Sequence, residues 1–375
     1  GYNKMNMKFN KNGRFKIMQI TDIQEIPSVS PDTVKLLNAA ISQENPDLVV
    51  LTGDQIKGYG TSYKIKGKNV FDAVKDTLEL LLKPIVEANI PYAVTFGNHD
   101  RQVGISNAEQ FEKIYKKLGN CIGEQASGIN GGGTYNIPIM SSDGEKIVNN
   151  IYIFDSGTDA KGGGYEPFDT SIIKWYQTTR DVLKKENGSY VPSIVFQHIP
   201  MCEYYKILKR VKSTAKGAIR AFRAHKNEYY VLGDSCRNGG IFLEPPSIPN
   251  ENTGEFDALN ECGDVMAVFV GHDHKNSFVG RYKNIDLGFT QSSGFNAYGN
   301  RKKRGVRIIE LDETEPNTYN TYTRTYDDLV GDKLQKPLLD FISSKAPETV
   351  DAAIPLIVKT LSAIAIIIFV LIILF

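Results

Sequence analysis

The sequence predicts an α/β fold organised around a parallel sheet. In the amino-terminal part, three strand-and-helix units follow one another, and each strand ends in a polar cluster. Further along, the apolar and β-branched run at 265–270 is typical of a strand buried on both faces, and His272 and His274 follow it directly. Because successive parallel strands are joined by right-handed crossovers, we expect the polar clusters to share one edge of the sheet, where α/β proteins bind their ligands.

The first part of the chain alternates between apolar runs of strand length and stretches with a helical spacing of apolar residues. Strands are expected at 15–20, 47–51 and 92–96, and helices at 31–43, 71–88 and near 107–118. The three strands end in Thr21-Asp22-Ile23-Gln24, Thr52-Gly53-Asp54 and Gly97-Asn98-His99-Asp100. Each strand therefore delivers a polar side chain to the expected ligand edge.

The pattern changes in the second part of the chain. We expect an antiparallel strand pair at 134–140 and 146–154, a helix at 171–185, and a strand at 191–196 that ends at His198. The basic, amphipathic segment at 206–226 is expected to be a helix on which His225 is solvated. The remaining strands, at 265–270, 278–290, 306–311 and 318–326, are expected to complete a second sheet.

Side chains that can bind a metal collect at the ends of the predicted strands. They are Asp22, Asp54, Asn98, His99, His198, His272 and His274. A His-x-His pair alone is equally typical of a surface loop, but four of the five histidines of the chain follow predicted strands. Carboxylates mixed with imidazoles suit Mn, Fe or Zn, and two ions about 3.5 to 4 Å apart could share Asp54 as a bridge. The sequence therefore predicts two divalent or trivalent metal ions.

The composition excludes several classes of protein. The chain has 375 residues, of which 41% are hydrophobic and 23% charged, and its net charge of +1 supplies no general attraction for nucleic acid. We therefore expect no nucleic-acid partner. The four cysteines contain no Cys-x-x-Cys, which argues against a structural zinc site or a redox pair. Two disulfides are allowed if the chain is secreted, and the sequence does not choose among the pairings.

Taken in order, the strand-end motifs resemble those of the calcineurin-like metallophosphoesterases. The blocks of that family are Asp-x-His, Gly-Asp, Gly-Asn-His-Asp, a single His after a strand, and Gly-His-x-His. Here they stand as Asp22-Ile23-Gln24, Gly53-Asp54, Gly97-Asn98-His99-Asp100, His198 and Gly271-His272-Asp273-His274. The last two blocks look most like the small purple-acid-phosphatase-like branch. The resemblance implies a four-layer α-β-β-α sandwich, in which two mixed sheets are flanked by helices.

The resemblance also implies a site and an activity. One metal would be held by Asp22, Asp54 and His274, with Gln24 as a further candidate ligand, and the other by Asp54, Asn98, His198 and His272. The implied reaction is hydrolysis of a phosphoester substrate by in-line attack of a metal-bound hydroxide. In this scheme His99 protonates the leaving oxygen as the general acid, and Asp100 orients His99.

Two residues depart from the family pattern. Gln24 stands where the family has a histidine, and an amide oxygen binds a transition metal more weakly than imidazole does. Lys57 stands where the purple enzymes have a metal-binding tyrosine, so we expect no tyrosinate-to-iron colour. The departure at Gln24 leaves an alternative open, namely a catalytically silent membrane receptor or scaffold that retains the fold with weakened metal binding.

The carboxyl-terminal segment at 354–375 is nearly all apolar. Its 22 residues would span roughly 33 Å as a helix, the thickness of a bilayer core. We therefore expect a membrane anchor there, although a core helix or a glycolipid-anchor signal has a similar composition. The implied domains are a metallophosphoesterase domain at 1–326, a juxtamembrane segment at 327–353 and the anchor at 354–375.

The sequence also bears on the compartment of the expected catalytic domain. Asn187-Gly188-Ser189 is an acceptor tripeptide for N-glycosylation, and it follows a predicted helix in a polar stretch. This favours an extracytoplasmic domain attached to a membrane. The alternative is a tail anchor that leaves the domain facing the cytosol.

Overall fold

The strand-and-helix alternation of the amino-terminal part is present in the computed structural model, which describes residues 7–347 and 350–374. The strands are β1 Met7–Lys8, β2 Arg14–Ile20, β3 Leu48–Thr52, β4 Tyr92–Thr95, β5 Tyr135–Met140, β6 Ile147–Ile153, β7 Ser193–Phe196, β8 Leu208–Val211, β9 Ile219–Arg220, β10 Tyr229–Leu232, β11 Val265–Val270, β12 Val279–Tyr282, β13 Ile285–Phe289, β14 Gly305–Asp312 and β15 Asn320–Thr325. The α-helices are α1 Pro31–Glu44, α2 Val70–Glu87, α3 Asn107–Gln110, α4 Lys116–Leu118, α5 Thr170–Asn187, α6 Glu255–Asn260, α7 Tyr326–Leu329, α8 Pro337–Lys345 and α9 Val350–Leu374. A π-helical turn, Phe111–Tyr115, separates α3 from α4.

Strands β2, β3 and β4 lie side by side and run parallel, as predicted from the sequence. The helices between them begin where local chemistry favours a start. Pro31 lies in the first turn of α1, and Asn69 caps α2 by accepting the N–H of Asp72. Parallel pairing brings the carboxyl ends of the three strands to one edge of the sheet.

β14 and β15 belong to the same sheet as β2, so the prediction that they complete a second sheet is wrong. β14 pairs antiparallel with β2, from Arg307 opposite Gln19 to Asp312 opposite Arg14, and β15 pairs with β14. The first sheet therefore has five strands in the order β15-β14-β2-β3-β4. The strand pattern of a sequence does not show which sheet edge a strand will join, because an antiparallel partner needs no crossover of characteristic length.

The second large sheet has seven strands in the order β1-β5-β6-β7-β11-β13-β12. β5 and β6 form the antiparallel pair that the sequence predicts. At the centre of the sheet, β7 and β11 are parallel neighbours, with Val268 opposite Val195. Their carboxyl ends therefore also lie together, and each of them leads into a histidine motif.

The helix expected at 206–226 is wrong. This segment contains β8, β9 and a 3-10 turn, Arg223–His225, and it forms a three-stranded sheet in the order β8-β10-β9. Tyr230 of β10 lies opposite Arg210 on one side and Ile219 on the other. Pairing with a strand outside the segment therefore decided its structure, which local spacing does not reveal. His225 is exposed, as expected.

Apolar side chains of the seven-stranded sheet divide between two cores. Along β11, Phe269 lies in a cluster that includes Ile17 of the five-stranded sheet, whereas Val268 lies in a second cluster that includes Tyr176 of α5. Successive side chains of a strand point to opposite faces. One face of the sheet therefore packs against the other large sheet, and its second face packs against α5. The mixed α/β fold with several sheets and helices is confirmed.

The carboxyl-terminal prediction of a membrane anchor at 354–375 is not supported. α9 covers most of this segment, and Phe375 lies outside the described residues. Among the residues that the structure describes, no helix combines the length and the apolar character that a bilayer crossing requires. Lys359, Thr360 and Ser362 interrupt the apolar run. The membrane partner that was expected from the same segment is likewise unsupported.

All four cysteines, which lie in the described part of the chain, are free. Burial raises the pKa of the Cys121 thiol and of the Cys202 thiol to about 12 each. Thiols with such pKa values stay protonated at neutral pH and react slowly. Because all four thiols are free, neither of the disulfides that the sequence allows is formed in this structure.

A buried ion pair joins α8 to the loop between β13 and β14. The guanidinium of Arg304 is fully buried and donates to Asp340 Oδ1 at 2.5 Å and to the carbonyl oxygen of Ala297 at 2.8 Å. It also lies over the ring of Phe295, 4.5 Å from the ring centroid. Removing one partner of such a pair leaves an uncompensated charge in the interior, which is strongly destabilising.

We expect Asp340→Ala to lower the free energy of unfolding by about 3 to 5 kcal/mol, because Arg304 keeps its charge in a buried position. The matched control is Asp332→Ala, which breaks the exposed pair with Lys35 and should cost about 0 to 1 kcal/mol. Urea unfolding of the full chain measures both. Equal losses for the two variants would contradict the role given to the buried pair.

Candidate metal centre

Strand ends from both large sheets converge on one buried site. Five strands supply one residue each at or just after their carboxyl ends, namely Asp22 after β2, Asp54 after β3, Asn98 after β4, His198 after β7 and His272 after β11. All five side chains are buried, and so is that of His274. The structure therefore brings together the residues that the sequence analysis selected from positions far apart in the chain.

The backbone at these strand ends adopts a left-handed conformation that L-residues seldom take. The φ angles are 51° at Asp22, 38° at Gln24, 52° at Asp54 and 75° at His272. Such conformations cost about 1 to 3 kcal/mol each and cluster at functional sites. In each case the turn out of the strand brings the side chain into the site.

Two glycines allow the chain to pass directly beside the carboxylates. A Cβ on Gly97 would lie 2.1 Å from Asp54 Oδ1 and 2.7 Å from His198 Nε2. A Cβ on Gly271 would lie 2.0 Å from Thr21 Oγ1. No side chain fits at these separations, so the glycines of the Gly-Asn-His-Asp and Gly-His-x-His motifs are required by close packing.

Asp54 occupies the centre of the site. Its Oδ2 lies 3.0 Å from His198 Nε2 and accepts a hydrogen bond of 3.1 Å from Gln24 Nε2. Its Oδ1 accepts the backbone N–H of His99 at 2.8 Å. Asp54 therefore contacts His198 and Gln24 through one carboxylate oxygen and the backbone of His99 through the other.

Two of the imidazoles are oriented by backbone carbonyl groups. Nδ1 of His198 lies 2.9 Å from the carbonyl oxygen of Thr52, and Nδ1 of His274 lies 2.7 Å from that of Tyr298. A ring whose Nδ1–H donates to a carbonyl turns its Nε2 into the site, which is the orientation of metal-ligating histidines. The His274 ring also stacks on the Tyr298 ring at 4.1 Å.

Three buried atoms at the site have no hydrogen-bond partner among the described residues. They are Asp22 Oδ1, Asn98 Oδ1 and His272 Nε2. Buried polar atoms are nearly always satisfied, so unpaired atoms need an explanation such as an ion. In addition, ligand atoms of Asp54, His198 and His272 lie within 4.8 Å of one another. The donor set therefore fits the metal ions that the sequence predicts.

The charges at the site also suit a cation. Burial alone would raise the pKa values of Asp22 and Asp54, but His198 and the neighbouring histidines outweigh it and hold both below their usual range. Burial, together with the charge of His198, lowers the pKa of His272 to about 3. Metal ligands must be deprotonated. Ionised carboxylates beside a neutral His272 meet that requirement.

His99 and Asp100 have different surroundings from those expected. The Asp100 carboxylate accepts backbone N–H groups from Asp54, Gln55 and Gly97 at 2.7 to 2.9 Å, so it holds the loop of the bridging residue. His99 Nδ1 instead lies 2.7 Å from Gln102 Oε1. The side chain that contacts the His99 ring at Nδ1 is therefore Gln102 and not Asp100, and sequence reasoning missed it.

Two further residues support His99. Gln102 donates through Nε2 to Asp159 Oδ2 at 2.9 Å, and Asp159 Oδ1 accepts from Asn98 Nδ2 at 3.0 Å. The ring of Tyr59 lies 4.5 Å from that of His99. Of Gln102, Asp159 and Tyr59, only Gln102 has a signal in the sequence. It follows His99 by three residues, and a 3-10 turn brings positions with that spacing together.

Gln24 lies in the site. Its Nε2 is 3.1 Å from Asp54 Oδ2 and 3.3 Å from His274 Nε2. Asp54 Oδ2 accepts from the amide NH2 group of Gln24, which therefore lies between this carboxylate and the His274 ring. These are two ligands that the resemblance assigns to the first metal. A nitrogen that donates cannot bind a cation, and Gln24 must rotate to offer its oxygen.

Comparison with known proteins finds the family that the strand-end motifs resemble. The calcineurin-like phosphoesterase family matches residues 15–276. The chain is 28% identical over 347 residues to the probable inactive purple acid phosphatase 14 of Arabidopsis thaliana, covering 82% of this chain and 78% of the relative. It is 26% identical to the phosphatase DCR2 of Saccharomyces cerevisiae, covering 90% and 58%. A solved dimetal phosphatase from Danio rerio matches 83% of this chain and 99% of its own with a TM-score of 0.49 and 12% identity.

We expect Gln24→His to raise the affinity of the Asp22, Asp54 and His274 side of the site for Mn²⁺ or Zn²⁺. The gain should be at least about tenfold, the scale on which residues around a metal alter its affinity, because an imidazole replaces a donating amide. Competition with a chromogenic chelator measures the affinity. The control, Gln335→His, adds an imidazole at an exposed position. Unchanged affinity in both variants would show that Gln24 does not limit metal binding.

Proposed function

The chain belongs to the calcineurin-like phosphoesterase family, and on that premise we propose that it hydrolyses phosphate esters at a dinuclear metal centre. The observation that carries the proposal is the set of unpaired buried atoms, Asp22 Oδ1, Asn98 Oδ1 and His272 Nε2, around the carboxylate of Asp54. These atoms follow three different strands. Asn98 Oδ1 and His272 Nε2 have no polar partner among the described residues, and Asp22 Oδ1 faces the imidazole of His274 at 3.2 Å.

The residues divide between two cations. As the family resemblance implies, Asp22 and His274 would hold one cation, Asn98, His198 and His272 would hold the other, and Asp54 would be shared. When bound, the cations supply Lewis-acid polarisation of phosphoryl oxygens and lower the pKa of a water molecule toward neutrality. The chain itself holds the ligands rigidly. Gly97 and Gly271 permit the close packing, and Asp100 fixes the loop that carries Asp54.

The role proposed for His99 is to protonate the leaving oxygen. Nδ1 of His99 is engaged by Gln102, so Nε2 faces the Asn98 amide at 3.4 Å, beside the metal ligands. Asp159 accepts from both Gln102 and Asn98 and so fixes the general acid and a metal ligand relative to each other. A group that must meet the substrate needs access, and His99 is only half-buried.

The competing proposal is a catalytically silent scaffold. It is favoured by Gln24, whose amide lies between two ligands of the first cation, and by the name of the Arabidopsis relative, which calls that protein probably inactive. Metal analysis and phosphatase assays on the full chain separate the two functions. Two equivalents of Mn or Zn with hydrolysis of p-nitrophenyl phosphate support the enzyme, and protein that stays metal-free and inert with both metals supports the scaffold.

We expect Asp54→Asn to abolish hydrolysis of p-nitrophenyl phosphate and to lower the metal content, because a carboxylate shared by both cations is lost. Elemental analysis and initial rates measure the two effects. The control, Asp76→Asn, changes a carboxylate on the exposed side of α2 and should leave both unchanged. Near-normal turnover by the Asp54→Asn variant would refute a bridged dinuclear site.

His99→Ala should keep its metal and lose rate by roughly 10² to 10⁴-fold on alkyl phosphates, because general-acid catalysis is removed. The loss should be much smaller on p-nitrophenyl phosphate, whose leaving group departs without a proton. Comparing kcat on the two esters, with metal content measured in parallel, tests the assignment. An equal loss on both would assign His99 to another step.

A further inference from the structure

The segment expected to be a helix at 206–226 instead forms one wall of a large cleft. The cleft has a volume of about 1270 Å³ and lies between this segment and the loop at 243–252. Four cationic side chains line it, namely Lys206, Arg220, Arg223 and Lys226. Among the described lining residues the only carboxylate is that of Glu244, which accepts the N–H of Lys275 and the hydroxyl of Tyr298 and is buried.

Three of these cations are available to a ligand. Lys206, Arg220 and Lys226 are exposed, and no carboxylate of the described residues lies within salt-bridge distance of any of them. Carboxylates elsewhere on the same small sheet are already used, since Glu228 pairs with Arg210 and His225. A concave surface with several unpaired cations holds a strong positive potential and attracts anions.

The cleft adjoins the metal centre. The ring of Tyr165 meets that of His272 edge-on at 4.4 Å, and its other side stacks on Phe222, a lining residue, at 5.9 Å. On the opposite wall, the N–H of Ser247 donates to Asp273, the residue between His272 and His274, at 3.0 Å. One aromatic ring therefore separates the cleft from a predicted metal ligand.

We propose that the cleft is the leaving-group subsite of the phosphoesterase and that it selects substrates that carry a second phosphate group. This rests on the proposed function. A guanidinium matches the geometry of phosphate oxygens, and ammonium groups add charge at the same site. A substrate phosphate at the metal centre would direct the leaving group toward Tyr165, whose ring contacts both His272 and the lining residue Phe222, so that a second phosphate would lie toward the cations of the cleft.

The test compares three substrates of the full, metal-loaded chain, which are p-nitrophenyl phosphate, 3-phosphoglycerate and fructose 1,6-bisphosphate. Arg220→Glu and Lys226→Glu should each lower kcat/KM for the bisphosphate by roughly tenfold or more, the scale of one lost charge-assisted hydrogen bond. Hydrolysis of p-nitrophenyl phosphate, which carries no second phosphate, should fall much less. The matched control is Lys209→Glu, an exposed charge reversal on β8 outside the cleft.

Three results would overturn the subsite. They are no loss on the bisphosphate, an equal loss on p-nitrophenyl phosphate, and an equal loss in Lys209→Glu. If 3-phosphoglycerate is preferred and affected to the same extent as the bisphosphate, a carboxylate suffices and the selectivity for phosphate is overturned.

A binding measurement separates failure of the subsite from failure of the proposed function. Tripolyphosphate is titrated calorimetrically into chelator-treated protein, which has no catalytic activity to measure. Weaker binding by Arg220→Glu than by Lys209→Glu supports the subsite even where the parent protein hydrolyses none of the three esters. Equal binding by the two variants overturns it.

Discussion

The site depends on keeping two ionised carboxylates in the protein interior. Isolated charges are strongly disfavoured there, and Asp22 and Asp54 are both almost fully buried. Backbone donors compensate in part, since the N–H of His272 donates to Asp22 and the N–H of His99 to Asp54. The imidazoles of His198 and His274 face the same carboxylates, and the cations of the proposed function would take over their balancing role. The charge of the carboxylates holds the pKa of His198 near 10, against the effect of burial.

This electrostatic demand explains why the site lies at the junction of the two sheets. Parallel strands end with free backbone N–H groups, and β3 and β4 use theirs to bind Asp100, at Asp54 and Gly97. The left-handed turns at Asp22, Asp54 and His272 then direct side chains back toward one point. Neither sheet could supply the set alone, because the carboxylates come from one sheet and the imidazoles from the other. The two sheets pack on a common core, and this packing fixes the distance between the carboxylates and the imidazoles.

The sequence predicts the parts of this arrangement that follow from local pattern. Strand runs that end in Asp or His identify both the parallel core and the ligands, because period and position are visible along the chain. Pairing is not visible, so the partner of β14 and the sheet at 206–226 were predicted wrongly. For the same reason Asp159 was missed, since its contact with Asn98 spans 61 residues. Asp100 was predicted to orient His99 because the two residues are adjacent in sequence. Its carboxylate instead accepts hydrogen bonds from backbone N–H groups.

The candidate metal centre carries carboxylates and the cleft carries cations, so only the candidate metal centre would depend on metal ions to bind an anion. A phosphate ester is an anion, so the ionised carboxylates of Asp22 and Asp54 repel it at short range. Cations bound between them would reverse the sign of the field, and the affinity for a phosphoester would then be coupled to metal binding, equally in both directions. The cleft needs no metal to be positive, because its charge comes from Arg220, Lys206 and Lys226. On the proposed function, an anionic leaving group would dock beside Tyr165 independently of the cations, whereas productive placement of the phosphate to be cleaved would require them.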